Sequence, residues 1–186
     1  MFNARITHAI GLVILLAVSA LAQSSITTLR ADDDQQYTPG SPSAACDSVE
    51  VPSGNKLIAH VYAVGVQSYR WNGTNWVFVE PIATLFADAN YHEKVGIHYV
   101  GPTWENNSGG KVIATRVQSC TPDPTAIPWL LLQTTSTDGS GPLSAVTYIQ
   151  RVNTKGGLAP TAPGVATGVV ADMPYTAEYY FYRAKN

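Results

Sequence analysis

Gln67-Ser68-Tyr69-Arg70-Trp71-Asn72-Gly73-Thr74-Asn75-Trp76-Val77-Phe78-Val79 reads as a β-hairpin. Two runs of alternating aromatic and β-branched residues flank Asn72-Gly73, and that pair supplies the positive φ values a primed turn requires. Two registers fit. A two-residue loop sets Tyr69 opposite Trp76 and Gln67 opposite Phe78; a four-residue loop, Asn72 to Asn75, sets Trp71 opposite Trp76 and Tyr69 opposite Phe78. In both, Tyr69, Trp71, Trp76 and Phe78 share one face of the sheet. Aromatic stripes on strands are most often buried, so this one is expected in the core, with a binding platform as the alternative.

The β reading extends in both directions. Leu57 to Val66 is apolar on both parities and is expected to be a strand buried on both faces. After Pro81, the run Ile82 to Asn90 reads as a short helical turn or an irregular connection. Val95 to Val100 is a strand with Gly96, His98 and Val100 on one face and Ile97 and Tyr99 on the other. Gly101-Pro102 ends it, Trp104 and Glu105 follow, and Asn106 to Gly110 turns into a strand from Lys111 to Val117. Trp129 to Ser136 and Leu143 to Val152 flank Asp138-Gly139-Ser140-Gly141 as a second hairpin, with Gln150 and Arg151 on opposite faces. Asn153 to Gly168 is a long Gly/Pro-rich loop, expected to cover something. Thr176 to Arg183 closes the chain, with Glu178, Tyr180 and Tyr182 on one side and Tyr179 and Phe181 on the other. Only 13% of the 186 residues are charged, too few for helices with charged outer faces. The fold class is therefore mainly β: a single-domain β-sandwich or closed β-barrel with long loops, of about eight to ten strands, over residues 51–186.

The N-terminus has the form of a signal peptide over residues 1–22. Arg5 is the positive n-region, Ile10 to Leu21 the apolar run, and Ala20-Leu21-Ala22 the small-x-small site, with cleavage before Gln23. The apolar run is shorter than the roughly 20 residues that cross a bilayer. With no cysteine at the cleavage point there is no lipoprotein anchor, so the mature chain is expected to be secreted or periplasmic, without a membrane span. Residues 23–50, including Asp32-Asp33-Asp34, are polar and read as a disordered linker. In an oxidising compartment Cys46 and Cys120 are expected to form a disulfide. A net charge of −2 without any Lys/Arg cluster argues against nucleic acid as a partner.

Five blocks in order carry a family resemblance. They are Gly65-Val66-Gln67 with Tyr69-Arg70; Gly96-Ile97-His98-Tyr99 with Gly101-Pro102-Thr103-Trp104-Glu105; Ile127-Pro128-Trp129-Leu130-Leu131-Leu132; Tyr148-Ile149-Gln150-Arg151-Val152-Asn153-Thr154 with Gly156-Gly157; and Pro174-Tyr175-Thr176-Ala177-Glu178-Tyr179-Tyr180-Phe181. From about Val51 to Arg183 the chain resembles the domain-of-unknown-function 3455 family of exported bacterial and fungal proteins. The resemblance implies no established activity. Some members carry a cysteine at the position of Trp71 and another within the 160–168 loop. Neither is present here, so a family disulfide pattern does not carry over.

Compact catalytic signatures are absent: no Gly-x-Gly-x-x-Gly, no phosphate loop, no Gly-x-Ser-x-Gly elbow, no His-Glu-x-x-His. His60, His92 and His98 form no His-x-His pair, so neither a metal site nor a cofactor is expected. Asn72-Gly73-Thr74 and Asn106-Asn107-Ser108 fit the glycosylation sequon, which matters in a eukaryotic source. What remains is a polar and aromatic set: Gln67, Tyr69, His98, Trp104, Glu105, Gln150, Arg151, Asn153 and Tyr175. Three readings use it. A small-molecule or carbohydrate binding module stacks its ligand on an aromatic ring and orients it through Gln150 and Asn153. A structural or cell-envelope component uses the aromatic faces for assembly. A hydrolase-like enzyme uses His98 or Glu105 as general acid or base and Arg151 to hold an anion, which requires the three to converge. The binding module is the leading expectation.

Overall fold

The hairpin takes the four-residue loop, pairing Trp71 with Trp76 and Tyr69 with Phe78. Asn72 decides this: its Oδ1 accepts the backbone N–H of Thr74 at 2.9 Å and of Asn75 at 2.8 Å, while its own N–H donates to the Asn75 carbonyl. The side chain thus closes the loop from within. Gly73, at φ 101°, supplies the left-handed residue.

The computed structural model describes residues 44–186. Its strands are β1 (Asn55–Trp71), β2 (Trp76–Phe86), β3 (Lys94–Tyr99), β4 (Thr103–Asn106), β5 (Lys111–Cys120), β6 (Trp129–Asp138), β7 (Tyr148–Gly156) and β8 (Val170–Ala184). Each pairs antiparallel with the next, and β8 pairs back onto β1, so the sheet closes into an eight-stranded up-and-down barrel. Closure removes the sheet edges, and eight strands leave an interior that side chains can fill or that can hold one small ligand. No helix among the described residues is long and apolar enough to cross a membrane.

Several expectations are corrected. Leu57 to Val66 is not buried on both faces: Ala63 is buried, but Val64 is 36% exposed, because a single-walled barrel has an outside. Residues Ile82 to Phe86 are not a helical turn but the continuation of β2. Pro81 sits inside that strand because β2 meets β3 only from the Ala83–His98 pair onward, so no β3 ladder bond is lost at Pro81. A bulge at Val79, between the pairs Ser68–Glu80 and Tyr69–Phe78, lies beside it. Trp104 and Glu105 belong to an extra strand, β4, paired with β3. Leu143 begins no strand; it lies in a 3-10 turn, Pro142–Ala145, where it and Val146 are buried in the main core.

The aromatic stripe is not in the core. Beyond Ala83 the β1–β2 ribbon outruns β3, so the rings pack on one another, with centroids of 5.5 Å for Trp71–Trp76 and 5.7 Å for Tyr69–Phe78. Phe78 remains 50% exposed. The 157–169 loop covers part of the stripe: Gly164 lies against the Trp71 ring and Trp76 Nε1–H donates to the Ala162 carbonyl at 2.9 Å.

Inward-facing residues fill the barrel's β2–β3 and β6–β7 end with Leu85, Val112, Ile149 and Phe181, among others. On the outer wall of β5 and β6, a 3-10 segment, Ala44–Val49, is tied down by the Cys46–Cys120 disulfide, Cα–Cα 5.5 Å. Cys46 and Val49 are fully buried against Leu131. The signal peptide and the linker as far as residue 43 lie outside the described residues.

Candidate functional site

Strand parity sets the site. Along β7, Arg151 points inward with Ile149, and its flanking register partners Leu130 on β6 and Tyr179 on β8 point the same way. Across the barrel, His98 on β3 pairs with Trp104 on β4 and both face inward, as do Gln67 on β1 and Tyr175 on β8. A cavity of about 210 Å³ opens among these residues, Ile149 and Tyr175 excepted, in the half of the barrel toward the β1–β2 and β3–β4 turns. Gln67, His98, Trp104, Arg151 and Tyr179 form its polar wall. Leu130, Leu132 and Pro81 line it with apolar surface, while the exposed Phe78, Val79 and Gly101 mark the opening.

His98 donates its Nδ1–H to the Thr103 carbonyl at 2.8 Å and stacks on Trp104 with centroids 4.3 Å apart. Burial pushes its pKa down to about 3; the Thr103 carbonyl opposes that shift and the Arg151 charge adds to it. The imidazole is therefore neutral at physiological pH, protonated on Nδ1, and Nε2 is a hydrogen-bond acceptor. A base so weak is poorly matched to proton abstraction near neutrality.

Arg151 is 9% exposed. Its Nε and Nη2 donate to one backbone carbonyl, that of Pro128, at 3.1 and 2.8 Å. No carboxylate pairs with it among the described residues. Its charge acts on His98, Tyr69 and Tyr175 alike. Tyr175 is held well above its usual pKa by burial and then by Tyr179, with Arg151 opposing. Tyr69 is raised more modestly by burial, and its hydroxyl donates to the Gly157 carbonyl at 2.7 Å. Five buried side-chain polar atoms lack a hydrogen-bond partner among the described residues, and four of them are Gln67 Nε2, Trp104 Nε1, Tyr175 OH and Tyr179 OH; the fifth is Thr134 Oγ1. Tyr179 and Gln67 are polar neighbours of the Tyr175 hydroxyl, but neither meets it in hydrogen-bonding geometry.

Thus Gln67, His98, Trp104 and Arg151 meet at the cavity, while Tyr69 and Tyr175 feel the Arg151 charge but do not line the cavity. The barrel does not gather the other three. Glu105 faces outward from β4, accepting from the Tyr99 hydroxyl at 2.8 Å and lying 3.5 Å from Lys111 Nζ. Gln150 turns outward and donates to the Val49 carbonyl at 2.8 Å. Asn153, at φ 51°, donates from the outer wall to Glu178. The constellation His98, Glu105 and Arg151 does not converge, because Glu105 and Trp104 are neighbours on one strand and take opposite faces. Tyr179 is the polar cavity residue the sequence reading left out, although it shares the parity of Tyr175 and Phe181 on β8.

A second polar cluster lies outside the barrel. Glu178 is 2.8 Å from His60 Nε2 and accepts from the Tyr180 hydroxyl at 2.8 Å; His60 stacks on Tyr180 at 4.0 Å. Burial lowers the His60 pKa, with Glu178 opposing. No group of three or more His, Cys, Asp or Glu among the described residues is placed to hold a metal.

No curated protein and no solved structure matches the chain. Residues 52–183 match the family described as "Protein of unknown function (DUF3455)". Since the match begins just before β1, ends within β8 and takes in every strand that shapes the cavity, the chain belongs to the DUF3455 family.

Proposed function

We propose that the protein binds a small molecule inside its barrel. The observation that carries this reading is the unpaired polar wall. Leaving a buried donor without a partner costs roughly 1–3 kcal/mol, and here several are concentrated around one cavity instead of being scattered through the core. Such a wall is what a ligand with complementary groups would complete.

The geometry favours an interior ligand over a sugar on an aromatic platform. At the hairpin end the Trp71 and Trp76 rings are tilted 60° to each other and Trp71 is covered by Gly164, so they offer no continuous flat face. A fragment screen followed by ¹H–¹⁵N NMR tests the reading. Compounds that bind should shift the Trp104 indole N–H and raise the melting temperature by linkage, and Leu130→Trp, which fills the cavity, should abolish both effects. Hits that shift only surface residues, unchanged by Leu130→Trp, would refute it.

A further inference from the structure

We infer that the ligand is a small organic anion, a carboxylate with an apolar body, whose head binds Arg151 inside the barrel. This rests on the interior-binding reading above and specifies its chemistry.

Charge is the first argument. Among the residues that line the cavity Arg151 alone carries a formal charge, and no Asp or Glu lines it. A guanidinium this deeply placed, without a carboxylate partner among the described residues, is stabilised when an anion enters. Its Nε and Nη2 already hold the Pro128 carbonyl, which fixes the plane of the group and leaves the Nη1 side free. A planar carboxylate suits a planar guanidinium, so geometry as well as charge is matched.

The neighbouring groups point the same way. Trp104 Nε1–H and Gln67 Nε2 are donors without partners among the described residues, and the Tyr179 hydroxyl, likewise without a partner there, is able to donate. An acceptor-rich head satisfies them together, whereas an ammonium would be repelled by Arg151 and would leave both nitrogen donors unmet. Size and polarity define the remainder of the ligand. A cavity of about 210 Å³ holds the equivalent of about seven waters, hence a compact molecule of about ten non-hydrogen atoms. Leu130, Leu132, Pro81 and the half-exposed Phe78 offer that body an apolar path toward the opening.

The test compares matched acids and amides, benzoate against benzamide and hexanoate against hexanamide, titrated into the purified protein at neutral pH with the Trp104 indole N–H as the local readout. Each acid is expected to bind at least tenfold more tightly than its amide. Arg151→Met should erase that preference while amide binding persists, and Arg151→Lys should retain part of it. Leu130→Trp should remove acid binding without altering the charge, which keeps the test decisive if Arg151→Met does not fold. If the amides bind as well as the acids, the anion inference falls and the binding cavity stands. If none of the four moves the Trp104 resonance at tens of millimolar, both fall.

Discussion

His98 commits its Nδ1 proton to the Thr103 carbonyl and its ring face to Trp104, and burial keeps it neutral in the folded barrel. Folding thus lowers its pKa from 6.5 to about 3, chiefly by burial. In the unfolded chain the same imidazole takes up a proton as pH falls below about 6.5. Between those values the unfolded state binds more protons than the native state, so the stability tied to a neutral His98 is complete above pH 6.5 and is lost as pH falls toward 3. The slope is about 1.4 kcal/mol per pH unit. Urea unfolding at pH 7 and at pH 5 should show the wild type losing about 2 kcal/mol more than His98→Asn over that interval. Equal losses in the two proteins would mean that His98 is charged in the native state. Arg151 presents the complementary case: it is buried with a backbone carbonyl, that of Pro128, as its hydrogen-bond acceptor.

At the scale of elements, the disulfide and the short segment it secures make a separable unit. Cys46 and Cys120 close a loop of sequence separation 74, and in the chain-entropy account a loop of that length stabilises by about 4 kcal/mol. The Cys46→Ser/Cys120→Ser variant is expected to lose about that much in denaturant unfolding. It should also free Val49 from Leu131, detected as deuterium uptake over residues 46–49, while the barrel amides stay protected. The same scale shows what sequence could and could not give. Parity within a strand was legible: it put His98 with Gly96, split Gln150 from Arg151, and left two hairpin registers that place the same four aromatics together. Parity across a turn was not. Whether Trp104 or Glu105 joins His98 depends on the number of residues in the β3–β4 turn, and the pairing of Tyr99 with Thr103 settles it for Trp104. Nor did the aromatic stripe declare its exposure, since that depends on how far β2 outruns β3, a property of two strands and not of one.

Across the whole molecule the interior divides into a filled half and an unfilled half, and one strand crosses between them. Phe181 and Tyr179 share a face of β8 and are 2% and 1% exposed. Phe181 lies in the apolar core and stands perpendicular to the Trp104 ring, whereas Tyr179 lines the cavity with its hydroxyl unpaired among the described residues. If the barrel interior served stability alone, truncation at either position would be destabilising. If the open half is kept for a ligand, the two should respond with opposite sign. Phe181→Ala is expected to cost about 3–5 kcal/mol, the transfer term plus the void it leaves. Tyr179→Phe removes a buried hydroxyl that has no hydrogen-bond partner among the described residues while keeping the ring against His98 and Trp104, and is expected to stabilise the ligand-free protein by about 1 kcal/mol. Chemical denaturation of both variants decides the matter. A loss at Tyr179→Phe would show that its hydroxyl supports the fold through a partner, and the cavity would then be a packing remnant. A gain would show that the barrel keeps a destabilising group where a ligand would meet it, the trade expected when a site is maintained against the stability of its own core.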